Sequence, residues 1–212
     1  DVRVLDDEGN ELPRGESGNI VVKLPLPPGT LPTLWNDDER FKSAYLNEFQ
    51  GYFSTSDGGY IDEEGYVFIM GRTDDVINVA GHRLSTGEME EQIGGHPAVA
   101  ECCVVGIEDS LKGQVPVGFV ILKDGADIDD ATLSNDLVQI IRKEIGAIGC
   151  YKTTLVVKRL PKTRSGKILR KTIRTITDTG DAVTPSTIDD PAILDEIKAA
   201  LADNKVGVAF QG

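Results

Sequence analysis

The chain is poor in the residues that most often announce a chemistry. It has three cysteines and two histidines in 212 residues. Cys102 and Cys103 are adjacent, so on a strand they point to opposite faces. No Cys-x-x-Cys pair is present to hold zinc. The cysteines read as small buried apolar residues, with a usage that leans mildly cytosolic. His82 and His96 sit beside Gly and Pro with no second ligand nearby, which gives neither a metal nor a general-base role. No apolar run approaches the roughly 20 residues that a bilayer span needs. No signal-peptide pattern opens the chain, and no initiator Met is present. Asp1-Val2-Arg3-Val4-Leu5 starts in mid-strand style, so the expectation is a fragment whose targeting signals go unread. Cations are also scarce, 22 Lys and Arg against 35 Asp and Glu, for a net charge of -13. An acidic bulk argues against a general nucleic-acid binder, whose phosphate contacts need a broad basic surface.

The scarce cations are concentrated. Nine of the 22 fall between Lys152 and Arg174, a stretch without a single acid, so the rest of the chain holds thirteen against thirty-five. Leu160-Pro161-Lys162-Thr163-Arg164-Ser165-Gly166-Lys167-Ile168-Leu169-Arg170-Lys171 follows the apolar Leu155-Val156-Val157. A flexible Gly beside one lysine in a basic tract is a way to deliver positive charge to a phosphate or a developing oxyanion. The plain alternative is a solvated basic helix end or a sorting cluster. A Walker loop is excluded: Pro161 stands where its first Gly belongs, and Ile168 follows Gly166-Lys167 where Ser or Thr is required.

The expected fold class is α+β, with a small β-rich part followed by a compact α+β domain. Residues 1–23 read as a hairpin with turn chemistry at Gly9-Asn10 and Pro13-Arg14-Gly15. Pro25, Pro27, Pro28, Gly29 and Pro32 break any regular element. A short helix is expected over 36–47, N-capped by Asn36 or Asp37, then strands over 58–62 and 66–71. Polar Arg72-Thr73-Asp74-Asp75 marks a boundary before the strand Val76-Ile77-Asn78-Val79. Ser85 and Glu88 form a capping box for a helix over 86–93, with a left-handed glycine cap at Gly94-Gly95. Ala98 to Ile107 is almost continuously apolar, the pattern of a central strand buried on both faces, and Val115 to Leu122 pairs with it. Leu133, Leu137, Ile140, Ile141 and Ile145 form one stripe of a helix over 130–145, with Arg142 on the outer face. A strand over 153–157 and a helix over 166–175 follow. Residues 178–190 read as a polar linker and 191–203 as a terminal amphipathic helix opened by Pro191.

Four segments ask for a joint account: Ser54-Thr55-Ser56-Asp57-Gly58-Gly59-Tyr60, Gly71-Arg72-Thr73-Asp74-Asp75-Val76-Ile77-Asn78-Val79-Ala80-Gly81-His82-Arg83-Leu84, Ile141-Arg142-Lys143-Glu144-Ile145-Gly146, and the Pro161–Lys167 tract. In this order and spacing they resemble the AMP-forming acyl-CoA synthetases of the adenylate-forming superfamily, nearest the short-chain acetyl and propionyl branch. Ala80, where the acetyl type usually has Ser, leans toward the propionyl type.

The resemblance implies a ligase that forms a short-chain acyl-CoA in two steps. A carboxylate attacks the α-phosphate of Mg2+·ATP, and the CoA thiol then displaces AMP from acyl-AMP. ATP with Mg2+ and coenzyme A are substrates, with no tightly bound cofactor and no protein metal site. It implies that 1–73 end the large adenylation domain, that 74–177 form a mobile lid, and that 178–212 are a linker and terminal helix. The rest of an N-terminal adenylation domain, with its ATP loop and acyl pocket, is missing. Asp57 and Arg72 match ribose contacts, although Ser56 stands where Gly is common. Arg83 matches a phosphate donor, supported by Asn78. Asp74 matches the hinge. Gly81 matches a close backbone approach to the pantetheine arm, and Arg142 a contact to CoA phosphates. Lys167 matches the lysine that bridges carboxylate and α-phosphate, and would be the target of lysine acetylation enzymes. The implied partners are a small carboxylate, ATP and CoA, without nucleic acid or membrane, in the cytoplasm or mitochondrial matrix. Two other readings stay open: a peptide-synthetase adenylation domain serving a carrier-protein thiol, and a non-enzymatic interaction module with a basic tail.

Overall fold

The computed structural model describes residues 1–73 and 75–210; the expected hinge, Asp74, lies outside the described residues. The chain divides into two compact units, Asp1–Asp74 and Asp75–Gly212.

The first unit is a four-stranded antiparallel sheet in the order β1 (Val2–Leu5), β2 (Gly18–Lys23), β3 (Tyr52–Ile61), β4 (Val67–Arg72). Leu5, Val21 and Phe49 form its small buried core. Between β2 and β3 runs α1 (Asp38–Tyr45), capped by Asp37, whose carboxylate accepts from the Arg40 amide. β3 begins earlier than its sequence pattern suggests, because a bulge divides it. Ile20 pairs with Asp57 and Val21 with Ser54, so Thr55 and Ser56 share one gap in the ladder.

The second unit holds a five-stranded sheet of β5 (Val76–Val79), β6 (His82–Ser85), β7 (Val99–Asp109), β8 (Gly113–Leu122) and β9 (Thr153–Val156). β7 and β8 form an antiparallel ladder from Val99↔Leu122 to Asp109↔Gly113. β9 lies parallel to β8 on its other edge. A parallel neighbour needs a crossover, which α3 (Asp130–Glu144) supplies; Asp129 caps it by accepting from the Thr132 amide at 2.9 Å. Successive residues of β7 and β8 face opposite sides, and each side has a core. Cys103, Val105, Ile107, Val117 and Phe119 pack with Ile173 and Ile176 of α4 (Arg170–Thr179) and with Ile197 and Leu201 of α5 (Ile193–Asn204). Val104 and Val120 pack with Met89 and Ile93 of α2 (Thr86–Gly94) and with Leu133, Leu137 and Ile141 of α3.

Several expectations change here. β7 is buried on both faces but lies at the sheet edge, with β8 in the centre. Continuous apolarity reports helices above and below a strand, not its lateral place. Ser85 caps α2 through the Glu88 amide, but Gly95 is right-handed at φ −70°. That helix ends in a last turn that runs into Pro97, not in a left-handed glycine. α4 starts at Arg170, later than expected, because residues 162–168 are used in a hairpin. The polar segment 178–190 is not a free linker: Ile188 is buried in the core. The terminal helix α5 sits in that same core.

Candidate active-site elements

In the first unit the bulge aims Asp57. The Thr55 hydroxyl donates to Ile20 O at 2.7 Å and accepts from the Asp57 amide at 3.1 Å. Ser56 takes a left-handed φ of 58°, a conformation that costs a non-glycine residue about 1 kcal/mol. Gly would suit that position for the same reason, so Ser56 keeps the turn at a modest cost and does not redirect it. Asp57 and Arg72 are directly opposite across β3 and β4. Their charged groups are 4.0 Å apart, with the Asp57 side chain 34% exposed. Arg72 also donates to Thr55 O at 3.4 Å. A contact this long and exposed adds little stability; it leaves carboxylate oxygens facing solvent beside a planar cation.

In the second unit β5 and β6 are joined by Ala80-Gly81, at φ 49° and 87°. Two left-handed residues make the two-residue hairpin turn whose twist matches its strands. Asn78 and Arg83 are cross-strand partners. The Asn78 side-chain oxygen accepts from the Gly81 amide at 3.1 Å, and its own amide donates to Gln114 Oε1 at 2.9 Å. Asn78 therefore orders the turn itself. The Ala80 amide donates to Lys112 O at 2.8 Å. Beside this hairpin opens a groove of about 860 Å³, lined by Asn78, Gly81, Lys112 and Gln114 among others. A Cβ on Gly81 would meet nothing within 4 Å, so the backbone there is open to a ligand. Arg142, on the outer face of α3, is exposed and does not share that hairpin.

Lys167 stands on a pinned hairpin. Lys162 and Ile168 form a bridge, and Thr163 N donates to Lys167 O at 2.8 Å. The Lys167 amide returns a bond to Thr163 Oγ1 at 3.1 Å. Gly166, at φ 86°, makes the turn. The supposed linker lines up along this hairpin as a third strand. Arg164 N donates to Thr187 O at 3.0 Å, Asp189 N donates to Lys162 O at 2.9 Å, and Thr163 bridges Ile188.

Three of the tract's other cations are bound by acids. Lys162 is 2.6 Å from Glu101. Arg159 binds Asp190 at 2.6 Å and also binds Glu196. Its guanidinium holds both carboxyls below their usual range. Arg170 makes two bonds to Glu90, at 2.9 and 2.7 Å, and Glu90 also accepts from the Val104 amide at 2.8 Å. The hydrogen bonds to Glu90 raise the Arg170 pKa further. Lys167 is exposed, and its ammonium has no partner among the described residues. The tract is thus partly neutralised, and among its exposed lysines, which include Lys152, Lys158 and Lys171, Lys167 is set apart by the pinned hairpin that carries it. The sequence gives no sign of this, since Glu101 and Glu90 lie 61 and 80 residues from their partners.

The first unit thus presents a carboxylate and an arginine from a bulged strand, and the second carries a glycine-turn groove and a pinned glycine–lysine hairpin. The family profile described as AMP-binding enzyme C-terminal domain matches residues 88–167. The chain thus carries an AMP-binding enzyme C-terminal domain, and short-chain acyl-CoA synthetases and a propionate–CoA ligase are among its relatives. It is 59% identical over 206 residues to an uncharacterized protein of Pseudomonas aeruginosa, covering 97% of this chain and 33% of that one. It is 46% identical to mitochondrial acyl-CoA synthetase short-chain family member 3 of Mus musculus, over 94% of this chain and 29% of that one. Against the propionate–CoA ligase of Escherichia coli the identity is 48%, over 89% and 31%. ATP-bound MatB from Rhodopseudomonas palustris superposes with a TM-score of 0.66 at 32% identity, over 82% of this chain and 33% of that one. The chain spans about a third of the length of the curated relatives it matches.

Proposed function

We propose that this chain is the C-terminal portion of an AMP-forming ligase that makes a short-chain acyl-CoA, of the propionyl type, from carboxylate, ATP and CoA. The observation that carries the reading is Lys167: an exposed, unpartnered ammonium on a hairpin fixed by backbone bonds, in a tract whose Lys162, Arg159 and Arg170 are bound by acids. Preorganised charge is what stabilises an anionic transition state. Lys167 would bridge the carboxylate and the α-phosphate of Mg2+·ATP during adenylation. Asp57 would take the ribose hydroxyls with its two acceptor oxygens, with Arg72 beside it. Arg83 would serve as a phosphate donor from the hairpin that Asn78 orders. Gly81 would admit the pantetheine arm along its open backbone, and Arg142 would meet CoA phosphates. Asp74, at the junction of the two units, would be the hinge between half-reactions.

The remaining parts follow from that reading. A further N-terminal adenylation domain supplies the ATP loop and acyl pocket; the exposed Phe68, Ile69 and Met70 of β4 give the first unit an apolar strand for it to cover. Acetylation of Lys167 would remove the charge adenylation needs. The compartment is the cytoplasm or the mitochondrial matrix, and no helix among the described residues is long and apolar enough to cross a membrane. The test is a carboxylate panel on the intact parent enzyme, read by AMP release with ATP and CoA. Propionate, then acetate, should give the highest kcat/KM. Absence of carboxylate-dependent AMP release overturns the reading.

A further inference from the structure

One nucleophilic pair lies outside everything assigned so far. Cys102 and Cys103 are inert: burial pushes the Cys102 thiol up to about 11, and the more deeply buried Cys103 higher still. Cys150 differs. It is half-buried, at a left-handed φ of 49° after the short turn Ala147–Gly149. Its Sγ accepts from the Lys112 ammonium at 3.3 Å. Both residues line a cavity of about 470 Å³, along with Lys152, Lys205 and Asp109. The Asp109 carboxylate is turned back to the amides of Leu111 and Lys112, at 3.0 and 2.9 Å. Those bonds fix the backbone of Lys112 and hold Asp109 ionised below its usual range. Three lysines and one aspartate therefore line the cavity that holds Cys150, in a protein of net charge -13.

We propose that Cys150 and Lys112 form a self-acylation site, at which an acyl-CoA thioester is captured by the cysteine and passed to the lysine. The chemistry starts from the contact of Lys112 Nζ with Cys150 Sγ. As the Cys150 sulfur attacks the thioester carbonyl, a new S–C bond forms, the bond to the CoA sulfur breaks, and the thiol proton goes to the departing CoA sulfur. The Lys112 nitrogen, as the amine that has given its extra proton to solvent, attacks the same carbonyl. The Cys150 S–C bond then breaks, and the sulfur takes the amine's proton. The sum is acyl-CoA plus lysine giving N-acyl-lysine plus CoA thiol, with Cys150 regenerated. No oxidant or other co-reactant enters.

Two features favour an acyl-CoA as the donor. Lys152 and Lys205 suit a ligand carrying several phosphates, because they oppose the chain's overall charge locally. The 3.3 Å separation makes the second transfer intramolecular, and effective molarities for oriented groups reach roughly 10⁵ M or more. Acylation would have a readable consequence. Lys112 O holds the Ala80 amide, and Lys112 lines the groove beside Gly81. Loss of the Lys112 charge would change the groove that the proposed function gives to CoA. The inference borrows from that function only the presence of an acyl-CoA, which the test supplies.

The experiment incubates the 212-residue chain with propionyl-CoA and follows each lysine by peptide mass spectrometry. Lys112 should be propionylated at least about tenfold faster than the exposed Lys158 and Lys171, a small share of the available proximity effect. Cys150→Ala should bring Lys112 down to the rate of those two and leave them unchanged. Lys112→Arg should trap a hydroxylamine-labile propionyl thioester on Cys150, and this reports the first step even if Cys150→Ala alters the local turn. Modification of Lys112 no faster than Lys171, an unchanged Lys112 rate in Cys150→Ala, or no thioester in Lys112→Arg overturns the proposal. None of these outcomes bears on whether the parent enzyme adenylates a carboxylate.

Discussion

Ile188→Ala separates the two roles open to the polar segment before the terminal helix. A linker would tolerate the change without effect. In the fold, Ile188 is only 4% exposed and belongs to the core shared by β7, β8, α4 and α5. Truncating a buried isoleucine to alanine typically costs 2–5 kcal/mol, depending on how well the site collapses. The segment 185–190 is held by few elements and can relax inward, so the lower half applies, about 2–3 kcal/mol. For a domain of this size that corresponds to a fall in Tm of about 5–10 °C. Ile188→Val, one methylene smaller, should lose about 1 kcal/mol. Differential scanning calorimetry on the 212-residue chain reads both. The backbone of this segment also braces the Lys167 hairpin, so in the parent enzyme adenylation should fall at temperatures where the protein is still folded. A melting temperature for Ile188→Ala within a degree of the unsubstituted chain would refute the packing argument and restore the linker.

Other expectations follow from single residues. Ser56→Val should cost about 1–2 kcal/mol in urea unfolding, because a β-branched residue resists the left-handed φ that Ser56 adopts; Ser56→Gly should not destabilise, and equal losses from both would argue against the strained turn. Asp190 and Glu196 have folded pKa values lowered from ordinary values of 3.8 and 4.5 by Arg159. Their contribution is therefore present above those values and is lost as pH falls through the lower folded ones. Thermal stability of the chain should drop more steeply below pH 4.5 than that of Arg159→Ala, and parallel pH profiles would contradict the ion-pair assignment. Gly81→Leu in the parent should impair thioester formation more than adenylation, as read by separate half-reaction assays. No atom lies within 4 Å of the added Cβ, so a clash inside the protein would not explain the loss, although the positive φ adds strain. Loss of adenylation with CoA turnover preserved would remove Gly81 from the pantetheine path.

Much of the architecture was legible because it is local. The stripe Leu133, Leu137, Ile141 placed α3, and Ser85 marked the start of α2 with its cap. Asp57 and Arg72, each given to ribose by the family resemblance, are opposite one another across two strands. The misreadings share a cause, which is partners distant in sequence. Polar composition hid the pairing of 187–189 with the Lys167 hairpin, because those contacts are backbone bonds that carry no sequence signature. The apolar run of β7 revealed helices on both faces, and its pairing with β8 was legible, but not its place at the sheet edge. The basic tract looked uniform until Glu90, Glu101, Asp190 and Glu196 were found against it. Lys171, which is exposed, therefore serves as the control for Lys167, whereas replacing Lys162, bound to Glu101, would perturb packing as well as charge.

The most direct test of the central claim is therefore a comparison of Lys167→Ala with Lys171→Ala in the intact parent enzyme, each half-reaction measured separately. Acyl-AMP formation should fall a few hundredfold in Lys167→Ala, in line with roughly 3–4 kcal/mol for one preorganised charged donor. Conversion of supplied acyl-AMP and CoA to thioester should largely persist, and Lys171→Ala should leave both steps near the unsubstituted rate. Similar losses from the two substitutions, or equal losses in both half-reactions of Lys167→Ala, would contradict the account, because the tract would then act as a diffuse charge and not through one held lysine.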